Sequence, residues 1–219
     1  MTAGRRIGAL VLTITVALMF AALKLVLPLI EGASLPFLGI DFALPLQFLA
    51  TLLAAAAVYT SAARLMERLL RDWTWLKAKV HGPAFVEGTW IGRFDAADGA
   101  KYTVEHIEQS LEGVVVRGWA RGADGKPYAE WTSSSAVVDG ANGRFGFQYD
   151  CDVIAKATRQ QGVAAFQFVR ARASAPPHEM TGYSADLVDG TRSANHEVKL
   201  SDRLTGLDEA FAAARSRFP

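Results

Sequence analysis

The sequence predicts a membrane protein with two N-terminal transmembrane α-helices followed by an all-β, roughly eight-stranded antiparallel barrel. Three observations predict it. Two long apolar runs occupy the first third of the 219-residue chain, the hydrophobic period changes to two from residue 85 onward, and clusters of turn-forming residues separate the short runs of that second part.

The first apolar run, IGALVLTITVALMFAALKLVLPLI from Ile7 to Ile30, carries one charge, Lys24. The second, FALPLQFLATLLAAAAVYTSAA from Phe42 to Ala63, carries none. At about 1.5 Å of rise per residue, each is long enough to cross a hydrocarbon core ~30 Å thick. Helices buried in a soluble core keep a polar stripe, whereas these runs are apolar nearly all round. A cleaved signal peptide is the other reading of the first run, because Arg5 and Arg6 precede it. Against it stand the length of the run, the lack of a clear small-residue cleavage pattern and a second run within 11 residues.

Orientation follows from the flanks. Arg5 and Arg6 precede the first span and Arg64, Arg68, Arg71, Lys77 and Lys79 follow the second, while the loop EGASLPFLGID between them has no basic residue. The positive-inside rule then places both termini, and the barrel, in the cytoplasm. A lone Cys151 suits a reducing compartment. Lys24 is an amine in an otherwise apolar helix. It either snorkels as an anchor or lines a polar seam between gathered helices.

The segment RLMERLLRDWTWLKAKV, residues 64–80, sets Leu65, Leu69, Leu70 and Trp73 apart from its Arg and Lys residues, as an amphipathic connector does, with Trp73 and Trp75 suited to headgroup depth. The expected division is therefore 1–80, two spans and connector, and 81–219, a barrel domain. Residues 1–80 hold eight Lys or Arg against four Asp or Glu, and residues 81–219 hold fifteen against eighteen. A mildly acidic soluble part argues against polymeric nucleic acid as its partner.

Eight runs follow: FVEGTWIGRF, KYTVEHIEQ, LEGVVVRGWAR, YAEWTSSSAVV, GRFGFQYD, VAAFQFVRAR, EMTGYSADLV and NHEVKLSD. Between them lie DAADGA, GADGKP, DGANG and VDGTRSAN, rich in the Asp, Asn and Gly that hairpin turns demand. Eight strands are enough to close a barrel just wide enough for side chains or one small ligand. The tail GLDEAFAAARSRF reads as a short closing helix.

Gly88 and Trp90 in EGTW resemble the Gly-x-Trp of lipocalin-type first strands, in which the Trp packs across one end of the barrel. Two membrane helices, then this tripeptide, a Ser-rich strand SSSA (Ser133 to Ala136), an aromatic strand ending in Tyr149, and TGYSADL (Thr181 to Leu187) resemble the two-transmembrane β-barrel effectors of cyclic-oligonucleotide-based antiphage signalling systems. The resemblance implies a lipocalin-like barrel that senses a cyclic di- or trinucleotide made by a phage-sensing nucleotidyltransferase. It also implies a homo-oligomer whose helices disrupt the bacterial inner membrane. A membrane-tethered lipid- or metabolite-binding barrel, or a scaffold protein, is the alternative, and the sign of ligand control stays open.

Bases want flat aromatic faces, and phosphates want Arg or clustered hydroxyl and amide donors. Alternation sets Arg117, Trp119 and Arg121 on one face of their strand and Trp131, Ser133 and Ser135 on one face of the next. With both faces inward, these residues and Tyr149 are the expected ligand contacts. Otherwise the Trp residues are core, the Arg residues snorkel and the Ser residues face solvent. Phe145, Phe147 and Tyr149 form another row, with Phe166 and Phe168 as its partner, and Arg170 and Arg172 continue the latter.

No enzyme motif emerges. The histidines show no metal-ligand spacing, GYSAD is not a nucleophile elbow, and Lys126 in GADGKP is followed by Pro127, unlike a phosphate loop. Glu105 and Glu108 fall on opposite faces of a strand, which disfavours shared acid and base work. A non-enzyme without a metal or other cofactor is expected.

Overall fold

A computed structural model describes residues 73–219 apart from 97, 111 and 189, together with separate positions between 9 and 68. About half of each of the two apolar runs expected to span a membrane, 7–30 and 42–63, lies outside the described residues. Among those described, no helix is long and apolar enough to cross a membrane. The chain divides into two compact units, Met1–Leu76 and Lys77–Pro219. In the first, the Lys24 amine stands 5.6 Å from the Phe20 ring centroid, one helical turn earlier, and Trp73 stacks on Trp75 at 6.2 Å.

The second unit is a closed antiparallel barrel. A helix, α1 (Thr74–His81), and a single 3-10 turn (Gly82–Ala84) lead into β1 (Gly88–Ala96), β2 (Gly99–Gln109), β3 (Val114–Gly122), β4 (Pro127–Asp139), β5 (Arg144–Val153), β6 (Thr158–Val169), β7 (Glu179–Asp186) and β8 (Arg192–Ser201), with α2 (Leu207–Arg217) last. Each strand pairs with its sequence neighbour and β8 returns to β1, so no edge is left to template association. Each of the eight alternating runs supplies one strand. The DGANG turn shows why they stop where they do: Asp139 Oδ1 accepts the Ala141 and Asn142 amides at 3.1 and 3.0 Å, and Gly143 takes φ 69°, which costs a glycine little.

One end of the barrel is plugged. Val86, Trp90, Ile107, Val116, Phe145, Phe168 and Met180 pack there into one buried cluster, and the Phe145 ring lies 6.4 Å from both Phe166 and Phe168. Trp90 is wholly buried and donates its indole N–H to the Val86 carbonyl at 2.8 Å, so its polar atom is satisfied inside an apolar plug. Gly88 precedes it at φ 129°, where a Cβ would lie 2.0 Å from the Ser201 carbonyl oxygen. Gly88 thus takes a backbone crossing that only glycine permits, and Trp90 packs in the plug two residues on.

The incoming chain is tied to the same end. Lys77 pairs with Glu87 at 2.7 Å, both mostly buried. Gln109 accepts the Val86 amide at 2.9 Å and donates to the Ala84 carbonyl at 2.9 Å. α2 covers the outer wall of β1, β2 and β3: Ala210, Phe211 and Ala214 are fully buried against Ile91, Tyr102 and Val104, with Trp119 at the margin.

Candidate ligand-binding site

With the plug at one end, side-chain parity decides what occupies the other. Positions 90, 92 and 94 of β1, 103, 105 and 107 of β2, and 195, 197 and 199 of β8 point inward, and aromatic rows from β5 and β6 face them across the lumen. A cavity of about 370 Å³ opens at the end remote from the plug. Its walls are Phe94, Tyr128, Trp131, Phe147, Tyr149 and Phe166. Asp95, Asp186, Lys156 and Arg192 stand among its lining from the strand ends, a rim of mixed charge.

Two of the wall rings sit in notches cut by glycine. At Gly118 on β3 a Cβ would fall 2.0 Å from Trp131 Cε2, and at Gly162 on β6 it would fall 2.3 Å from the Tyr149 hydroxyl. The missing side chains let both rings lie against the neighbouring strand instead of filling the lumen. Trp131 donates its indole N–H to Glu105 Oε1 at 2.9 Å. The Tyr149 hydroxyl bonds Ser184, and burial pushes its pKa up to about 12.

The floor is a pair of carboxyl groups. Glu105 of β2 and Glu197 of β8 flank β1, where Gly92 makes room for the Glu197 side chain and the Thr103 hydroxyl: a Cβ there would lie 2.8 Å from Glu197 Cγ and 2.7 Å from Thr103 Oγ1. The two residues are 2% and 3% exposed. Their Oε2 atoms have no N–H or O–H donor among the described residues, and the two side chains are close enough to share a hydrogen bond. Two carboxylate oxygens both accept, so that bond exists only while a proton sits between them. Burial raises Glu105 to about 7, the Trp131 donor opposing it. Glu197 is raised well above its ordinary value, by burial and then by the neighbouring Glu105 charge. With both groups raised by burial and each facing the other's charge, the pair resists ionising both carboxyls at once. Asn195, two positions along the same face of β8, adds an amide oxygen that likewise lacks a donor.

The expected contacts divide between the two sides of the wall. Trp131 and Tyr149 line the cavity. Arg117, Trp119 and Arg121, expected to face inward, point outward, and each is engaged there. Arg117 pairs with Glu108 at 2.9 Å. Trp119 meets the His106 ring edge-on at 5.1 Å beside α2. Arg121 pairs with Asp208 at 2.8 Å and lies over the Phe211 ring at 4.4 Å. The physical reason is α2, whose apolar face needs the large residues of β3, while the small face of β3 (Gly118, Ala120, Gly122) makes room in the lumen.

Ser133 and Ser135, expected on one face with Trp131, are separated by a register shift in the β4–β5 ladder. Ser133 Oγ accepts the Val116 amide at 2.9 Å, and Ser135 is exposed, bonded to Gln148 at 3.3 Å. A bulge reverses side-chain parity, and no local pattern in SSSA announces it.

No sequence pattern marks Glu197, and alternation relates Glu105 only to its near neighbour Glu108. Their pairing joins residues 92 positions apart across β1. The signal within reach was the set of mid-strand glycines, Gly92, Gly118 and Gly162, each of which marks a close approach. Compared with known proteins, the chain matches no family model and no curated relative.

Proposed function

We propose that the barrel is a receptor for a nucleotide ligand and that the N-terminal apolar runs anchor it in a bacterial inner membrane, with barrel and both termini cytoplasmic. The observation that carries the ligand class is the layering of the cavity: aromatic faces on the walls and a polar floor. A planar heteroaromatic base satisfies both, stacking at about 1–3 kcal/mol per ring and presenting its polar edge to Glu105 and Glu197. The sugar and phosphates of a cyclic di- or trinucleotide then remain at the rim with Lys156 and Arg192. A volume near 370 Å³ falls in the ~300–1,000 Å³ range of small-molecule pockets and takes one base.

The alternative of a lipid receptor fits the floor poorly, because an acyl chain would cover two buried carboxyl groups and an amide without bonding them. Membrane anchoring rests on the two apolar runs and their basic flanks. It is supported by exposed Leu12, Val16, Leu18, Phe20, Leu52 and Leu53 among the described helical positions. Two spans enclose no water-filled path, so the membrane-disrupting role of an antiphage effector requires several copies. Ligand drives that assembly only by binding the assembled form more tightly than the free one.

The test is calorimetry of the detergent-solubilised full chain against cyclic di- and trinucleotides, paired with dye entry into cells expressing chain and synthase. Binding of at least one member together with ligand-dependent dye entry is the expected result. No binding to any member refutes the nucleotide reading, and binding without dye entry refutes the effector role. A cytoplasm-active reporter gives signal at the C-terminus and none near Ser34 if the proposed topology holds.

A further inference from the structure

We propose that the Glu105–Glu197 pair, with Asn195 beside it, is an acceptor subsite that takes a planar amidine-type edge, with N–H donors on neighbouring atoms, at the inner end of the ligand. For the nucleotide case this rests on the function proposed above.

The floor is built from acceptors. Glu105 Oε2, Glu197 Oε2 and the Asn195 amide oxygen are buried without a donor. The strong donor aimed at the pair is the Trp131 indole N–H, already committed to Glu105 Oε1. A ligand edge made of acceptors would face these oxygens unbonded and lose affinity. An edge of parallel N–H groups on one sp² carbon bonds both carboxyls at once, and bonds to a charged acceptor are the stronger ones. The flat walls, Trp131 and Tyr149 seated against Gly118 and Gly162, require the group carrying that edge to be planar.

Two sources offer this chemistry: the lactam and amine edge of guanine, and a free guanidinium or amidinium ion. Either brings N–H donors to both carboxyls and favours their ionised forms, so a proton held by the buried pair leaves for solvent as the ligand docks. The other titratable groups lining the cavity are Asp95 of β1, Tyr128 of β4, Tyr149 and Cys151 of β5, Asp186 of β7, and the rim cations Lys156 and Arg192. Gly92, on the strand between the two carboxyls, carries no side chain, and Thr103 Oγ1 and Glu197 Cγ lie over it.

Full chain in detergent is titrated with guanosine, inosine and adenosine 5′-monophosphates and with agmatine, in buffers of different ionisation enthalpy. Inosine lacks only the exocyclic amine of guanine. The expected result is that guanosine monophosphate, agmatine or both bind about tenfold or more tightly than the inosine and adenosine nucleotides. Roughly one proton is released per ligand bound below neutrality, and Glu105→Gln and Glu197→Gln each weaken binding about tenfold or more while melting as folded proteins.

Preference for agmatine with no nucleotide binding keeps the subsite and removes the nucleotide reading. Equal affinity for guanosine, inosine and adenosine nucleotides with both Gln variants silent overturns the subsite and leaves the nucleotide reading standing. No binding by any of the four probes overturns the subsite as well.

Discussion

Replacing Glu105 with Gln should make the barrel more stable at pH 8 and leave it nearly unchanged at pH 5. Burial beneath Trp131, among apolar walls, raises the folded-state pKa of Glu105 from the ordinary 4.5 to about 7. Between those values the folded protein binds more protons than the unfolded chain, so stability falls as pH rises. The contribution is whole below the unfolded value and is lost as pH rises through about 7. A gap of that size at about 1.4 kcal/mol per unit gives an upper figure near 3 kcal/mol. Water entering the open cavity lowers it to about 2 kcal/mol. The amide introduced by Glu105→Gln would keep an oxygen for the Trp131 N–H and offer an N–H to Glu197, so no bond is lost in the exchange. For a unit of this size the gain is a melting temperature roughly 4–10 °C above wild type at pH 8. Near-UV circular dichroism of the detergent-solubilised chain, melted at pH 5 and at pH 8, measures it. An equal difference between variant and wild type at both pH values would refute the account of the buried pair.

Gly118→Ala drives a methyl group into the Trp131 ring and should cost about 1–3 kcal/mol while weakening ligand binding, read from melts and titrations of the same sample. Phe211→Ala empties the interface between α2 and the barrel wall and should cost about 3–5 kcal/mol, with ligand affinity in the surviving folded fraction unchanged, because the cavity lies on the other side of the wall. Trp119→Ala and Arg121→Ala should likewise leave affinity within about twofold, whereas Trp131→Ala should lower it by about 1–3 kcal/mol. A large loss with Trp119→Ala in calorimetry would relocate the site to the outer wall.

Strand number and placement were legible in the sequence because they are local. Alternation over five to ten residues and Asp–Gly or Asn–Gly punctuation specify extended runs and their reversals whatever the rest of the chain does. The barrel end was legible for the same reason, since Gly88 and Trp90 lie two positions apart on one strand. Which face of a strand looks inward is not local. In β3, VVVRGWARG, one face carries Arg117, Trp119 and Arg121 and the other Gly118, Ala120 and Gly122, and the ligand-binding chemistry of Arg and Trp favours the first face for the lumen. The tertiary structure decided otherwise, because α2 supplies an apolar partner outside and Trp131 of the next strand needs the glycine notch inside. The carboxyl floor lies further still from any sequence pattern. Glu105 and Glu197 are each one acidic residue in an alternating strand, and only closure of β8 onto β1 brings them together over Gly92, in a medium where burial disfavours ionising both carboxyl groups.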